Sequence, residues 1–137
     1  MAKVYLGLGT NLGNKDANLR HAVQQIESQI GEIISLSGFY ATEPWGFESP
    51  NSFLNAVVCI ETTLPPRSLL TATQQIEKVL GRKTKTQQTY TDRIIDIDIL
   101  LYDNLVINEP DLVIPHPLMT TRDFVMKPLA EIAPELV

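Results

Sequence analysis

The sequence predicts an α+β fold, a mainly antiparallel sheet with helices packed on it. Three observations predict this. Runs rich in β-branched and aromatic residues stand at Lys3 to Gly9, Phe53 to Thr62 and Ile94 to Tyr102, two other segments repeat apolar residues at helical spacing, and strands and helices alternate along the chain. With 137 residues, 44% of them hydrophobic and 20% charged, one core is enough, so residues 1–137 are expected to form a single domain.

The first strand, Lys3 to Gly9, runs into Thr10-Asn11-Leu12-Gly13-Asn14, residue types that tolerate turn geometry. From about Asp16 the spacing of Leu19, Val23, Ile26 and Ile30 predicts a helix, with Gly31 placed to end it. Glu32 to Thr42 is rich in Ile, Leu, Phe and Tyr and reads as one strand, and Phe53 to Thr62 reads as the next. Between them Pro44, Gly46, Ser49, Pro50 and Asn51 mark a loop. Pro65 and Pro66 open a second helix, with Leu69, Ala72, Ile76 and Val79 on one face and Gly81 as its stop. Arg82 to Asp92 has neither period and reads as a candidate lid. Ile94 to Tyr102 is the clearest strand, followed by an Asp103-Asn104 turn into a short strand, Leu105 to Asn108. After the rigid loop Pro115-His116-Pro117, an amphipathic segment runs from about Thr120 to Ile132. Strand, helix, strand, strand, helix, strand is the order of a split βαβ unit, the ferredoxin-like arrangement with its helices on one side of the sheet.

Composition narrows the function. Eleven Lys and Arg against sixteen Asp and Glu give a net charge of −5, which argues against nucleic-acid binding. No apolar run approaches the roughly 20 residues of a membrane-spanning helix, and Met1-Ala2-Lys3 does not read as the start of a signal peptide. Cys59 is the only cysteine, so no internal disulfide is expected and a cytoplasmic location fits. Arg82, Lys83, Lys85 and Arg93, opposed locally by Asp92, make a positive patch on this acidic chain; it is either a solvated loop or a site for a polyanion.

Within Arg93-Ile94-Ile95-Asp96-Ile97-Asp98-Ile99-Leu100-Leu101, strand alternation puts Ile95, Ile97, Ile99 and Leu101 on one face and Asp96 with Asp98 on the other, roughly 6.6 Å apart along the strand. Carboxylates so spaced repel unless a cation joins them, and Mg²⁺ is commonly held by one or two carboxylates plus substrate phosphates. A half-exposed strand with a polar outer face satisfies the same pattern. On the strand at Phe53, the ring and the Asn55 amide share a face, an arrangement suited to stacking on a flat heterocycle while reading its edge, though by itself the pattern favours core packing of Phe53 with a structurally bonded Asn55. His116, Arg122 and Phe124 follow near the end of the chain, Arg122 with a planar fork suited to phosphate and Phe124 with a second ring. Gly7 to Gly13 is glycine-rich but lacks the Lys-Ser/Thr of a P-loop.

Taken together, these residues resemble the 6-hydroxymethyl-7,8-dihydropterin pyrophosphokinase family from Val4 to the end of the chain. The resemblance is carried by Gly9-Thr10-Asn11-Leu12-Gly13, Tyr40-Ala41-Thr42-Glu43-Pro44, Phe53-Leu54-Asn55-Ala56-Val57, Ile76-Glu77 with Gly81-Arg82, Arg93-x-x-Asp96-x-Asp98, and Pro115-His116-Pro117 with Arg122-Asp123-Phe124. It implies transfer of pyrophosphate from ATP to the pterin, in a monomer that uses two Mg²⁺ ions held by Asp96 and Asp98. It further implies pterin contacts at Thr42, Glu43, Pro44, Trp45, Phe53, Asn55, Asp96 and Phe124. The implied ATP contacts are Gln74, Glu77, Arg82, Lys85, Tyr90, Arg93, Ile99, His116 and Arg122, with Arg82, Arg93 and Asp98 in catalytic roles. Where relatives often have tryptophan this chain has Tyr90, Thr91-Asp92 replaces Gly-Pro, and Asp111 stands where some relatives place an arginine. The alternative is a non-catalytic ferredoxin-like module that binds a small molecule or RNA.

Overall fold

The computed structural model describes residues 1–42, 52–81 and 94–137. Strand β1 (Ala2–Thr10) leads to helix α1 (Lys15–Gln29), strands β2 (Gly31–Leu36), β3 (Tyr40–Thr42) and β4 (Phe53–Thr62), helix α2 (Pro66–Val79), strands β5 (Asp96–Tyr102), β6 (Ile107–Glu109) and β7 (Leu112–Ile114), and helix α3 (Asp123–Ile132). The main sheet runs β2-β4-β1-β5 with β3 beside β4, and its recorded pairings are antiparallel. That order is the ferredoxin-like one expected from the sequence.

The central strands β1 and β4 are buried on both faces, and this decides where the helices go. On one face Val4, Leu6, Leu8, Ala56, Val58, Ile60 and the β5 isoleucines pack against Leu19, Ala22 and Ile26 of α1 and Leu69 and Ile76 of α2. Helix α1 starts where the Asn14 side chain accepts the Ala17 N–H at 3.1 Å, and proline occupies the first turn of α2, where no helical N–H partner is lost.

Helices α1 and α2 of the split unit share one side of the sheet as expected, while the sequence assigns no face to the segment from Thr120. Helix α3 lies on the opposite face, because Tyr5, Val57, Cys59 and Leu100 make that face apolar at one end and Val125, Leu129 and Met119 cover it. Each such fully buried aliphatic side chain contributes about 1.5–3 kcal/mol. α3 covers only part of this face, and the rest carries Asp96, Asp98 and Asn55.

Three segments depart from expectation. Residues 32–42 do not form one strand, since the chain breaks after Leu36: the Ser37 N–H donates to Val57 O at 3.0 Å and its Oγ accepts from Val57 N at 2.9 Å, so side chain and main chain both occupy the β4 ladder. The short strand anticipated at Leu105 to Asn108 is displaced to Ile107–Glu109, paired with the unanticipated β7 in a hairpin. The segment from Thr120 divides into a 3₁₀ turn at Met119–Thr121 and α3.

Candidate active site

Three adjacent strands place the candidate residues in rows. Asn55 of β4 stands opposite Gly9 of β1, and Gly9 in turn stands opposite Asp96 of β5. One step along, Val57, Gly7 and Asp98 form a second row. Because strand neighbours share a face, Phe53, Asn55, Gly9, Gly7, Asp96 and Asp98 all line the side that α3 leaves partly open. The amide and the acidic pair are therefore two strand spacings apart, about 9.5 Å between Cα atoms, with bare peptide between them. Asn55 is buried, whereas Phe53, Asp96 and Asp98 are half-buried.

Strand β5 is an edge strand, and its outer side is held by Glu77. This buried α2 carboxylate accepts the Ile97 N–H at 2.7 Å, midway between the two aspartates. Ile99 follows at the same parity with its side chain buried in the core face, so only its main chain can meet a ligand at that edge. Gln74 lies one turn earlier on α2 and is exposed.

The loop after β7 closes the same edge. His116 N donates to Leu100 O at 3.0 Å, while its ring Nδ1 accepts from Leu118 N at 3.2 Å. The neutral ring then carries its proton on Nε2, as a donor. Burial lowers the His116 pKa, the Arg122 charge lowers it further and Asp96 opposes both, so these three groups lie within electrostatic reach of one another. Arg122 is buried at the start of α3 with its guanidinium 5.4 Å from the Phe124 ring centroid.

The sequence reading missed a contact that fixes α3 here. Glu131 accepts the Tyr40 hydroxyl at 2.6 Å and the Gly38 N–H at 3.0 Å, joining the helix that carries Phe124 to the strand that carries Thr42. Residues 91 positions apart give no periodic signal that would have revealed it. The glycines at 7 and 9 were also missed as site residues, although Gly-x-Gly inside a strand is a recognisable mark of close approach.

Of the expected site residues, Asp96, Asp98, Phe53, Asn55, Phe124, His116 and Arg122 border this face or the β5 edge, Glu77 and the Ile99 main chain lie on that edge, and Thr42 pairs with Phe53. Glu43, Pro44, Trp45, Arg82, Lys85, Tyr90 and Arg93 lie outside the described residues. Asp111 is engaged elsewhere: both its oxygens accept from Arg67 Nη1 at 2.8 Å, tying the β6–β7 hairpin to α2. In the loop after β1, Asn18 Nδ2 donates to Thr10 Oγ1 at 3.1 Å and Leu12 O at 2.8 Å, so that turn is braced from α1.

The donor set suits a hard cation. Asp96 and Asp98 present oxygen ligands beside the two glycines of β1, and among the described residues no cluster of three or more ligating side chains would enclose an ion. An ion held here would draw its remaining ligands from phosphate and water, the way Mg²⁺ usually binds beside nucleotides.

A ferredoxin-like sheet bearing an acidic pair, a basic-aromatic helix start and an aromatic-amide wall has the donor chemistry that a metal-nucleotide small-molecule site requires. Known proteins narrow this. The family model described as 7,8-dihydro-6-hydroxymethylpterin-pyrophosphokinase (HPPK) matches residues 5–134. The 2-amino-4-hydroxy-6-hydroxymethyldihydropteridine pyrophosphokinase of Porphyromonas gingivalis is 49% identical over 99% of this chain and 94% of its own. That of Bacillus subtilis is 40% identical over 96% of this chain and 78% of its own. In structure, the Plasmodium falciparum HPPK-DHPS A437G with SDX-DHP superposes with a TM-score of 0.81 at 20% identity, over 98% of this chain, which spans 42% of that longer one. The chain belongs to the HPPK family.

Proposed function

We propose that this chain transfers the terminal diphosphate of ATP to the hydroxymethyl oxygen of 6-hydroxymethyl-7,8-dihydropterin, a step of folate biosynthesis. The Asn55–Gly9–Asp96 row carries this reading, since it sets a heterocycle-reading amide and a metal-binding carboxylate on opposite sides of one open floor. Phe53 and Phe124 offer rings for stacking, with Asn55 and the main chain near Thr42 matching the pterin edge. Glu43, Pro44 and Trp45 are assigned to the same edge from the resemblance alone.

Bound at Asp96 and Asp98, two Mg²⁺ ions would supply charge neutralisation on the phosphates. The chain's own groups do the rest. The outer edge of β5, with the Ile99 main chain, Gln74, Glu77 and the Nε2–H of His116, receives the nucleoside end, and Arg122 offers its fork to phosphate. Lys85, Tyr90 and the arginines at 82 and 93 are assigned to the triphosphate from the resemblance. The hydroxymethyl oxygen attacks the β-phosphorus, the bridge to the α-phosphorus breaks and AMP departs with its electrons, while Asp98 favours loss of the hydroxyl proton. Positioning and charge neutralisation suffice for such a transfer. The chain acts as one domain, a monomer in the cytoplasm.

Product analysis tests this directly. With both substrates and Mg²⁺, phosphorus NMR should show AMP and a pterin diphosphate in equal amounts. ADP with a pterin monophosphate would contradict the diphosphate transfer, and no turnover of either substrate would favour the binding module.

A further inference from the structure

Gly9 lies near the C-terminal end of β1 but is paired on both sides, where a strand usually gains from a side chain. A Cβ built there would stand 3.0 Å from Oδ1 of Asn55 and 3.8 Å from Cδ1 of Phe53. Two of the groups assigned to the pterin therefore reach over this one residue. At Gly7, one row along, the nearest atoms to the added carbon would be those of the Leu100 side chain at 3.5 Å, an ordinary contact. The absence of a side chain thus has a different consequence at each position, and only at Gly9 is it coupled to the amide.

We propose that Gly9 is a specificity-determining positioning residue: its missing side chain lets the Asn55 amide settle over the strand, in the plane from which it reads the pterin edge. The inference rests on Asn55 being the pterin-reading group. A methyl at Gly9 pushes the amide oxygen away by a few tenths of an ångström, and hydrogen bonds weaken steeply when their geometry is disturbed. The acidic pair lies one strand across from Gly9, Asp96 in the same row and Asp98 in the next, and a Cβ at Gly9 would meet neither within 4 Å.

The test measures binding of the dihydropterin in the presence of Mg²⁺ and a non-hydrolysable ATP analogue, together with the analogue's own affinity. Gly9→Ala should weaken the pterin about tenfold, the worth of one well-formed hydrogen bond, and leave the analogue's affinity unchanged. Asn55→Ala should weaken the pterin at least as much, and adding Gly9→Ala to it should change little further, because the group displaced is already gone. A Gly9→Ala with unaltered pterin affinity, or effects that simply add, overturns the proposal. An Asn55→Ala that binds pterin normally instead overturns the reading beneath it. Should Gly9→Ala fail to fold, the double variant decides: a folded double variant with the affinity of Asn55→Ala supports the proposal, and one that still fails to fold overturns it.

Discussion

The Glu77 carboxylate and the Ile97 main chain meet at 2.7 Å on the open edge of β5, so a buried acid from one helix sets the strand position between Asp96 and Asp98. Glu77→Ala leaves that N–H without this acceptor and should cost about 1–3 kcal/mol in denaturant unfolding. It should also raise the Mg²⁺ concentration needed for half-maximal activity, while Glu77→Gln, which keeps a carbonyl acceptor, recovers most of both. Equal damage from both substitutions would show that charge, not this hydrogen bond, is what Glu77 supplies.

The Tyr40 hydroxyl and the Gly38 N–H hold the Glu131 carboxyl below the usual carboxylate range. A folded pKa below the unfolded one means that the contact stabilises the protein above the unfolded carboxylate value of about 4.3, and that this is lost as pH falls through the lowered folded value. Carboxyl NMR titration should show the Glu131 midpoint rising in Tyr40→Phe, with pterin affinity reduced a few-fold as α3 loosens over the site, by roughly the worth of one hydrogen bond. An unmoved midpoint would remove Tyr40 as the cause.

For His116, burial and then the Arg122 charge depress the imidazole pKa, with Asp96 pulling the other way. The unfolded chain takes up the proton first, so the His116 contribution to stability is complete above the unfolded value of about 6.5 and is lost as pH falls below it. Arg122→Gln should let the His116 midpoint rise in proton NMR. A fall would contradict the arrangement described. His116→Gln should flatten the stability profile as pH falls below about 6.5 relative to the parent.

Much of this was legible in the sequence where a period or a local signature carried it. The strand Phe53–Thr62 was read with its observed bounds, and the alternation of Asp96 and Asp98 against Ile95, Ile97 and Ile99 put the acids on one face before any coordinates did. Leu101, expected with the isoleucines, packs instead on the opposite face, beyond the irregularity in the β1–β5 register. What failed depended on distant partners. Nothing local says that Ser37 enters the β4 ladder, that Glu131 reaches Tyr40, or that α3 crosses to the face of Tyr5 and Cys59. Glu77 illustrates the mixture: its place beside the nucleotide edge came from resemblance to the family, but its bond to Ile97 could be found only from the packing of α2 on β5.

The central claim is that Asp96 and Asp98 bring divalent cations to the triphosphate beside the pterin wall. Steady-state AMP formation at saturating substrates and Mg²⁺ tests it most directly, in the parent and in Asp96→Ala and Asp98→Ala. A metal contribution of about 4 kcal/mol to the transition state predicts that each variant loses about a thousandfold in rate, with thermal stability retained because both side chains are only half-buried. A folded variant that still turns over at the parent rate would contradict the claim.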